Sequence, residues 1–241
     1  MPIINNMLRR EEGCFAITAE RKYYHIGETF IKRSLRPREW QTSPFKGTTH
    51  IPRQDKQRIL NEGACIAFIS ANTNIPVPQI YTCFEDDDAV YVVMRYVEGV
   101  GMNELNDEQK EIVKKELDGH LQTLRGLQSC QIGGPSGLVV PPYRVTLNSY
   151  RDEWNLKKVD ADETKSNRLV FCHNDLSQQN VIVDPKSLNI AAIIDWEYAG
   201  FYPAFFERRF FERLGPSVAL AGEEDDTEGL LEYLQSHQKF E

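Results

Sequence analysis

Between His173 and Glu197 the chain places two oxygen-bearing side chains in one loop and returns with a third after the length of a hairpin. The loop is His173-Asn174-Asp175-Leu176-Ser177-Gln178-Gln179-Asn180, and the return is Ile193-Ile194-Asp195-Trp196-Glu197. The intervening residues read strand, turn, strand (VIVD, PKSLN, IAAIID), so the hairpin folds back and carries Asp195 to the side of Asn180. Hard cations such as Mg²⁺ take carboxylate and amide oxygens, and one or two carboxylates plus substrate phosphates suffice to hold them. Asn180 and Asp195 are therefore the metal-ligand candidates. Asp175 is left to accept a proton or to orient a hydroxyl. An Asp and an Asn five apart are by themselves mostly a turn; the second Asp, twenty residues after the first, makes the pair constraining. Cys172 precedes His173, but neighbours on a strand point to opposite faces, so a buried thiol is expected there rather than a nucleophile.

The rest of the chain supplies the frame. FAITA, KYYHIG and ETFIKR, within Phe15–Arg33, read as short strands with a turn at Gly27-Glu28. Residues 37–51 read as loop. Ile59, Leu60, Ala64, Ala67 and Phe68 recur at helical spacing and predict a helix over 53–71, which Ile75-Pro76-Val77-Pro78 cannot continue. Strands over 79–84 and 89–97 follow, joined by the acidic turn Glu85-Asp86-Asp87-Asp88, read as solvated. Asn106 with Gln109 is a capping-box pattern, and Val113, Leu117, Leu121, Leu124 and Leu127 form one stripe, predicting a helix over 107–129. The 46 residues after Asp195 are expected to be helical. The fold class is α+β: a strand-rich first lobe over 1–97 and a helical second lobe over 98–241, hinged near Gly99 and Gly101.

Composition narrows the function. Formal net charge is −8, which argues against a protein that binds nucleic acid by neutralising phosphates. Five cysteines, no two closer than 18 positions, exclude a CxxC site and argue against a secreted disulfide framework. No apolar run approaches a membrane span and no apolar leader is visible, so the expected setting is the cytoplasm, with no membrane partner. The charge is unevenly spread. Residues 1–97 carry 13 basic and 11 acidic side chains, residues 98–241 carry 15 and 25, an arrangement that suits polyphosphate on one side and a cationic acceptor on the other.

The loop matches the kinase signature H-R-D-L-x-x-x-N except for Asn174 in place of Arg. Lys32 ends Thr29-Phe30-Ile31-Lys32, as the lysine of V-A-I-K does. Glu62 lies in the next helix, where an ion pair would aim that lysine at phosphates; Glu62 also stands four residues from Arg58, the spacing of an ordinary helical pair. Met94, Arg95, Tyr96 and Val97 close the fifth strand, where a hinge backbone would bond an adenine. Further segments make the resemblance specific. CHNDLSQQNVIVD resembles HGDLxxxNxLVD, and IIDWEYAGFYP resembles DWExAGxxP, of the aminoglycoside phosphotransferase family, in particular its fungal branch. NEGACIAFISANTNIPVPQIY, VVMRYVEG and RRFFERLGPSVALAGEEDD resemble its glutamate helix, hinge and C-terminal block, so the likeness runs from about Tyr23 to Leu234.

The resemblance implies a protein-kinase-like fold with ATP and Mg²⁺ as cofactors. It implies Lys32 on the α/β-phosphates, Glu62 positioning it, Asn180 and Asp195 on Mg²⁺, Asp175 serving the acceptor hydroxyl, and His173 as scaffold. The expected activity is transfer of the γ-phosphoryl group to a hydroxyl of a small molecule. The alternatives are a catalytically idle kinase-fold binding or regulatory module, or the same fold turned to another small-metabolite chemistry. Two departures bear on the choice. Between Cys14 and Lys32 the only glycine is Gly27, and Ala19-Glu20-Arg21-Lys22 stands where a glycine-rich covering loop belongs, with Arg21 and Lys22 as substitute phosphate contacts. The stretch after Asp195 is short for a protein-substrate platform.

Overall fold

The computed structural model describes residues 11–42, 47–149, 151, 153–159 and 168–239. The reading of the first ten residues as leaderless lies outside the described residues, as does part of the expected loop at 43–46.

The chain opens with β1 (Cys14–Ile17), β2 (Arg21–Ile26) and β3 (Thr29–Ser34). Two short strands, β4 (Gln41–Thr42) and β5 (Thr49–His50), pair with each other. Helix α1 (Asp55–Asn72) then leads to β6 (Ile80–Asp86) and β7 (Ala89–Arg95). Five of these strands build one antiparallel sheet in the order β1-β2-β3-β7-β6. The acidic turn is tighter than expected: only Asp87 and Asp88 leave the strands, at φ of 45° and 60°. Two successive left-handed residues make the hairpin turn whose twist matches its strands, and Asp tolerates that region. It is not merely solvated, since Arg36 Nε lies 2.9 Å from Asp87 Oδ2 and Arg38 pairs with the same carboxylate. Helix α1 lies close on the sheet because Gly63 has no side chain there. A Cβ at that position would stand 3.0 Å from both Cβ and Sγ of Cys83.

The second half holds β8 (Val100–Gly101), α2 (Asp107–Gly126), β9 (Gln128–Ser129), α3 (Tyr143–Thr146), β10 (Leu169–Cys172), β11 (Val181–Val183), β12 (Ile190–Ile193), β13 (Gly200–Tyr202) and α4 (Thr227–Ser236). Asn106 caps α2 as the capping box predicts: Gln109 N donates to Asn106 Oδ1 at 2.9 Å and Asn106 N to Gln109 Oε1 at 3.1 Å. The stripe Val113, Leu117, Leu121, Leu124 is buried. Two three-stranded antiparallel sheets, β13-β10-β9 and β12-β11-β8, stand beside it.

The tail differs from expectation. After Asp195 the only described α-helix is α4; the rest is β13, 3-10 turns at 196–198, 204–206 and 210–212, and loop. Pro203 and Pro216 deny the backbone donors a helix needs, and Gly215 turns the chain at φ 113°. The largest core cluster draws on both halves, joining Ile59, Val92 and Met94 to Leu117, Phe171 and Trp196.

Candidate active site

Lys32 sits in the middle of β3, paired across the sheet with Tyr23 on one side and Val92 on the other. It is 5% exposed, so its ammonium must find partners or forfeit its charge. It has three: Glu62 Oε2 at 2.8 Å, Asp195 Oδ1 at 2.5 Å and Glu197 Oε2 at 3.1 Å. Burial works against its charge, but Asp195, Glu197 and Glu62 together hold its pKa well above the ordinary value. Of the three carboxylates, burial drives Glu62 up to about 7 against the pull of Lys32. Burial also opposes ionisation of Glu197, yet Arg58, Lys32 and Arg21 outweigh it and hold that carboxyl well below its usual range. One oxygen from each of Glu62, Asp195 and Glu197 lies within 4.8 Å of the others, and the Lys32 ammonium is the cation they share.

The catalytic-loop candidates are fixed by backbone geometry. Asp195 and Asn174 are left-handed, at φ of 65° and 68°, conformations that short polar side chains adopt at modest cost. Ile194 N donates to Asn180 O at 2.9 Å, so the hairpin does return Asp195 beside Asn180. Asn180 Nδ2 donates to Asp175 O at 2.7 Å and to Asp175 Oδ2 at 3.2 Å, which commits the amino group and leaves Oδ1 for a ligand. Together with the Asp195 carboxylate this is an all-oxygen donor set, the kind a hard cation takes. Burial, seconded by the Asp195 charge, pushes Asp175 up to about 7. The Ser217 hydroxyl and the Asn180 amide work the other way, favouring its ionised form.

His173 is scaffold. Its Nε2 donates to Ile194 O at 3.0 Å while its Nδ1 accepts from Asp175 N at 3.2 Å, so one neutral tautomer clamps both motif loops. Burial lowers its pKa to about 4. Trp196 packs on it with ring centroids 4.5 Å apart and donates from Nε1 to Ile193 O at 2.9 Å. Cys172 is a fully buried thiol.

A cleft of about 260 Å³ is lined by Lys32, Glu62, the hinge segment Met94–Val97 and Asp195, and walled by Tyr23, Phe30 and Ile182. The amides of Arg95 and Tyr96 are already bonded, to Gln79 O at 2.8 Å and Glu28 O at 2.7 Å. Among the described residues Val97 keeps the hinge amide that faces no backbone acceptor. Asp175 and Asn180 do not line this cleft.

The charged residues near Lys32 overturn two expectations. Arg21 is buried and pairs with Asp55, with a longer contact of 3.5 Å to Glu197. Lys22 sits 2.8 Å from Glu39, in a different buried ion cluster. Neither is a free phosphate contact, because a cation this buried is taken up by carboxylates. Arg58 does not pair with Glu62. It meets Glu20 at 2.5 Å, Tyr198 Oη at 2.8 Å and Glu197 at 3.8 Å. Glu197, which adjacency to Asp195 marks only as a packing or capping residue, is thus the carboxylate on which Lys32, Arg21 and Arg58 converge.

The geometry has counterparts among known proteins. "Probable choline kinase 3" of Arabidopsis thaliana is 34% identical over 61 residues, 25% of this chain and 17% of that protein, so the match spans a small part of its length. Aminoglycoside phosphotransferase APH(3'')-Id from Streptomyces rimosus, solved with ADP and streptomycin, is similar at a TM-score of 0.53 with 15% identity, over 83% of this chain and 76% of that one. Aminoglycoside-3'-phosphotransferase of type VIII gives 0.50 and 17%, over 81% and 76%. At such identities the likeness is one of fold, and it is the protein-kinase-like α+β fold that the motifs predict. A profile of the phosphotransferase enzyme family matches residues 25–208, more than half of the chain, and the chain belongs to that family.

Proposed function

We propose that the protein transfers the γ-phosphoryl group of ATP to a hydroxyl of a small molecule, with Mg²⁺. The observation that carries this reading is the meeting of Lys32, Glu62 and Asp195 in a cleft that the hinge Met94–Val97 also lines. Phosphoryl transfer asks a protein chiefly for positioning and charge neutralisation. Lys32, held by Glu62, stands for the α/β-phosphates. Asn180 Oδ1 and Asp195 would hold Mg²⁺, which when bound neutralises phosphate charge. Asp175, steadied by Asn180, would receive the acceptor hydroxyl and its proton, and Val97 with the hinge carbonyls would take the adenine. A cationic acceptor remains part of the proposal through the acidic surplus beyond residue 97. Part of that acidity is committed within the chain: Glu223 clamps Arg213, Asp225 accepts from Thr227 N and Asp226 pairs with Arg144.

Titration calorimetry of the purified chain with ATP tests the reading. Micromolar binding that requires Mg²⁺ and weakens at least about tenfold in Asp195→Asn is expected, a tenfold loss being about 1.4 kcal/mol. No binding at millimolar ATP would overturn it. The idle-module alternative draws on Lys32 being held by three carboxylates and on a covering turn tied down by Glu20–Arg58. ATP binding with no transfer to any hydroxylated acceptor would favour it.

A further inference from the structure

The three carboxylates that share the Lys32 ammonium are held in different ways. Asp195, at 2.5 Å, is partly exposed and stands in a left-handed turn at the cleft wall. Glu62, at 2.8 Å, comes from α1 and also lines the cleft. Glu197, at 3.1 Å, is buried and is not among the lining residues, so it meets the ammonium from outside that space. Two further elements fasten its carboxylate. Arg21 Nη2 of β2 lies 3.5 Å from Oε2, and Arg58 Nε of α1 lies 3.8 Å from Oε1. Its backbone oxygen accepts from Asn61 Nδ2 at 3.1 Å. Asp195 is the one of the three that is also a proposed Mg²⁺ ligand. A buried ammonium whose nearest partner turns to another cation still needs countercharge from the protein, because an unpaired buried charge is costly.

We propose that Glu197 is a positioning residue for Lys32; this rests on the phosphotransferase reading above. With Glu62 it anchors the ammonium while Asp195 serves the metal, and so keeps Lys32 turned to the phosphates of a bound nucleotide. Arg58 also holds Glu20 at 2.5 Å, so the same carboxylate joins the lysine to the turn between β1 and β2. The rival role for Glu197 is metal ligation, since one of its oxygens lies within 4.8 Å of oxygens of Glu62 and Asp195. Three protein cations already lie within 3.8 Å of its carboxylate, and they would repel a divalent ion there.

The test is titration calorimetry of the full chain with ATP, ADP and adenosine, each with saturating Mg²⁺ and with EDTA. Glu197→Gln should weaken ATP and ADP at least about tenfold and leave adenosine unchanged, because the lysine meets only phosphates. The loss should be the same with and without Mg²⁺, and Glu197→Gln should cost nothing further in a Lys32→Met background. Thermal melts show which variants fold. If Glu197→Gln does not, Glu197→Asp keeps the charge on a shorter arm and should show the same phosphate-specific loss in smaller measure. Unchanged ATP affinity in the folded variant overturns the proposal. An equal loss for adenosine overturns it in favour of a merely structural role, and a loss seen only with Mg²⁺ overturns it in favour of metal ligation. Additive losses with Lys32→Met also overturn it. All four leave the phosphotransferase reading standing, whereas a parent chain that does not bind ATP overturns both.

Discussion

Glu207 shows how a single buried side chain can tie catalytic geometry to pH. Its Oε2 accepts from the backbone amides of His173 and Asn174, so it holds the start of the catalytic loop from behind. Burial lifts its pKa from 4.5 to about 7, against those two bonds and the Arg144 charge. A carboxyl raised on folding stabilises the native state fully below its unfolded pKa, and that stabilisation is lost as pH climbs through the folded value. Glu207→Gln keeps an acceptor oxygen but does not titrate. Its stability relative to the parent should therefore improve between pH 4.5 and pH 8, by on the order of 3 kcal/mol for a shift of this size. Urea midpoints at the two ends of that range measure it, and an equal gap at both would refute the account. Glu207 was not readable in advance, and neither was the convergence of Arg21, Arg58 and Lys32 on Glu197. Partners 34 to 176 residues apart leave no spacing in a sequence. Asp175, Asn180 and Asp195 were readable because one loop and one hairpin fix their relation locally.

Helix α1 is where element-scale packing serves the site, since one helix carries Glu62 to Lys32, Arg58 to Glu197 and Gly63 to the sheet. Gly63→Ala would force a Cβ into a 3.0 Å contact with Cys83, so the helix or the sheet must give. The expected cost is about 1–3 kcal/mol, with part recovered by adding Cys83→Ala, and no recovery in the double variant would place the strain elsewhere. Arg58→Met should cost more, about 3–5 kcal/mol, because it takes from Glu20 its 2.5 Å cation and from the buried Glu197 one of three. A drop of roughly 10 °C in melting temperature follows at this chain length, and a drop under 2 °C would mean the network is dispensable. The limits of α1 and α2 were close to expectation, since caps and apolar stripes are local. The tail was not. Its aromatic richness between Tyr198 and Phe211 suited either helix or turns, and the contacts that decide, such as Tyr202 Oη donating to Val140 O at 2.9 Å, are long-range.

At the scale of the molecule, we propose that the lobes 1–97 and 98–241 are functional halves of one folding unit. Motif order and charge asymmetry mark two halves in the sequence, but apolar residues do not record which half they pack against. In the structure Val92 and Met94 share a core with Leu117 and Trp196. Asn61 of α1 donates across to Glu197 O at 3.1 Å and Ala199 O at 2.9 Å, and Cys65 Sγ reaches Ala199 O at 3.4 Å. Separating the halves would expose that shared core and leave these buried polar groups unpaired, so neither half has a stable state without the other. Thermal unfolding should therefore be one transition, identical by far-UV circular dichroism and by the fluorescence of Trp40, Trp154 and Trp196, which sample both halves. Mg²⁺-ATP at about 100 times its dissociation constant should add about 2.7 kcal/mol, moving that single transition up by roughly 5–10 °C in both signals. Two transitions, with the nucleotide shifting only one, would show that the lobes fold separately and that the cleft between them is assembled by ligand.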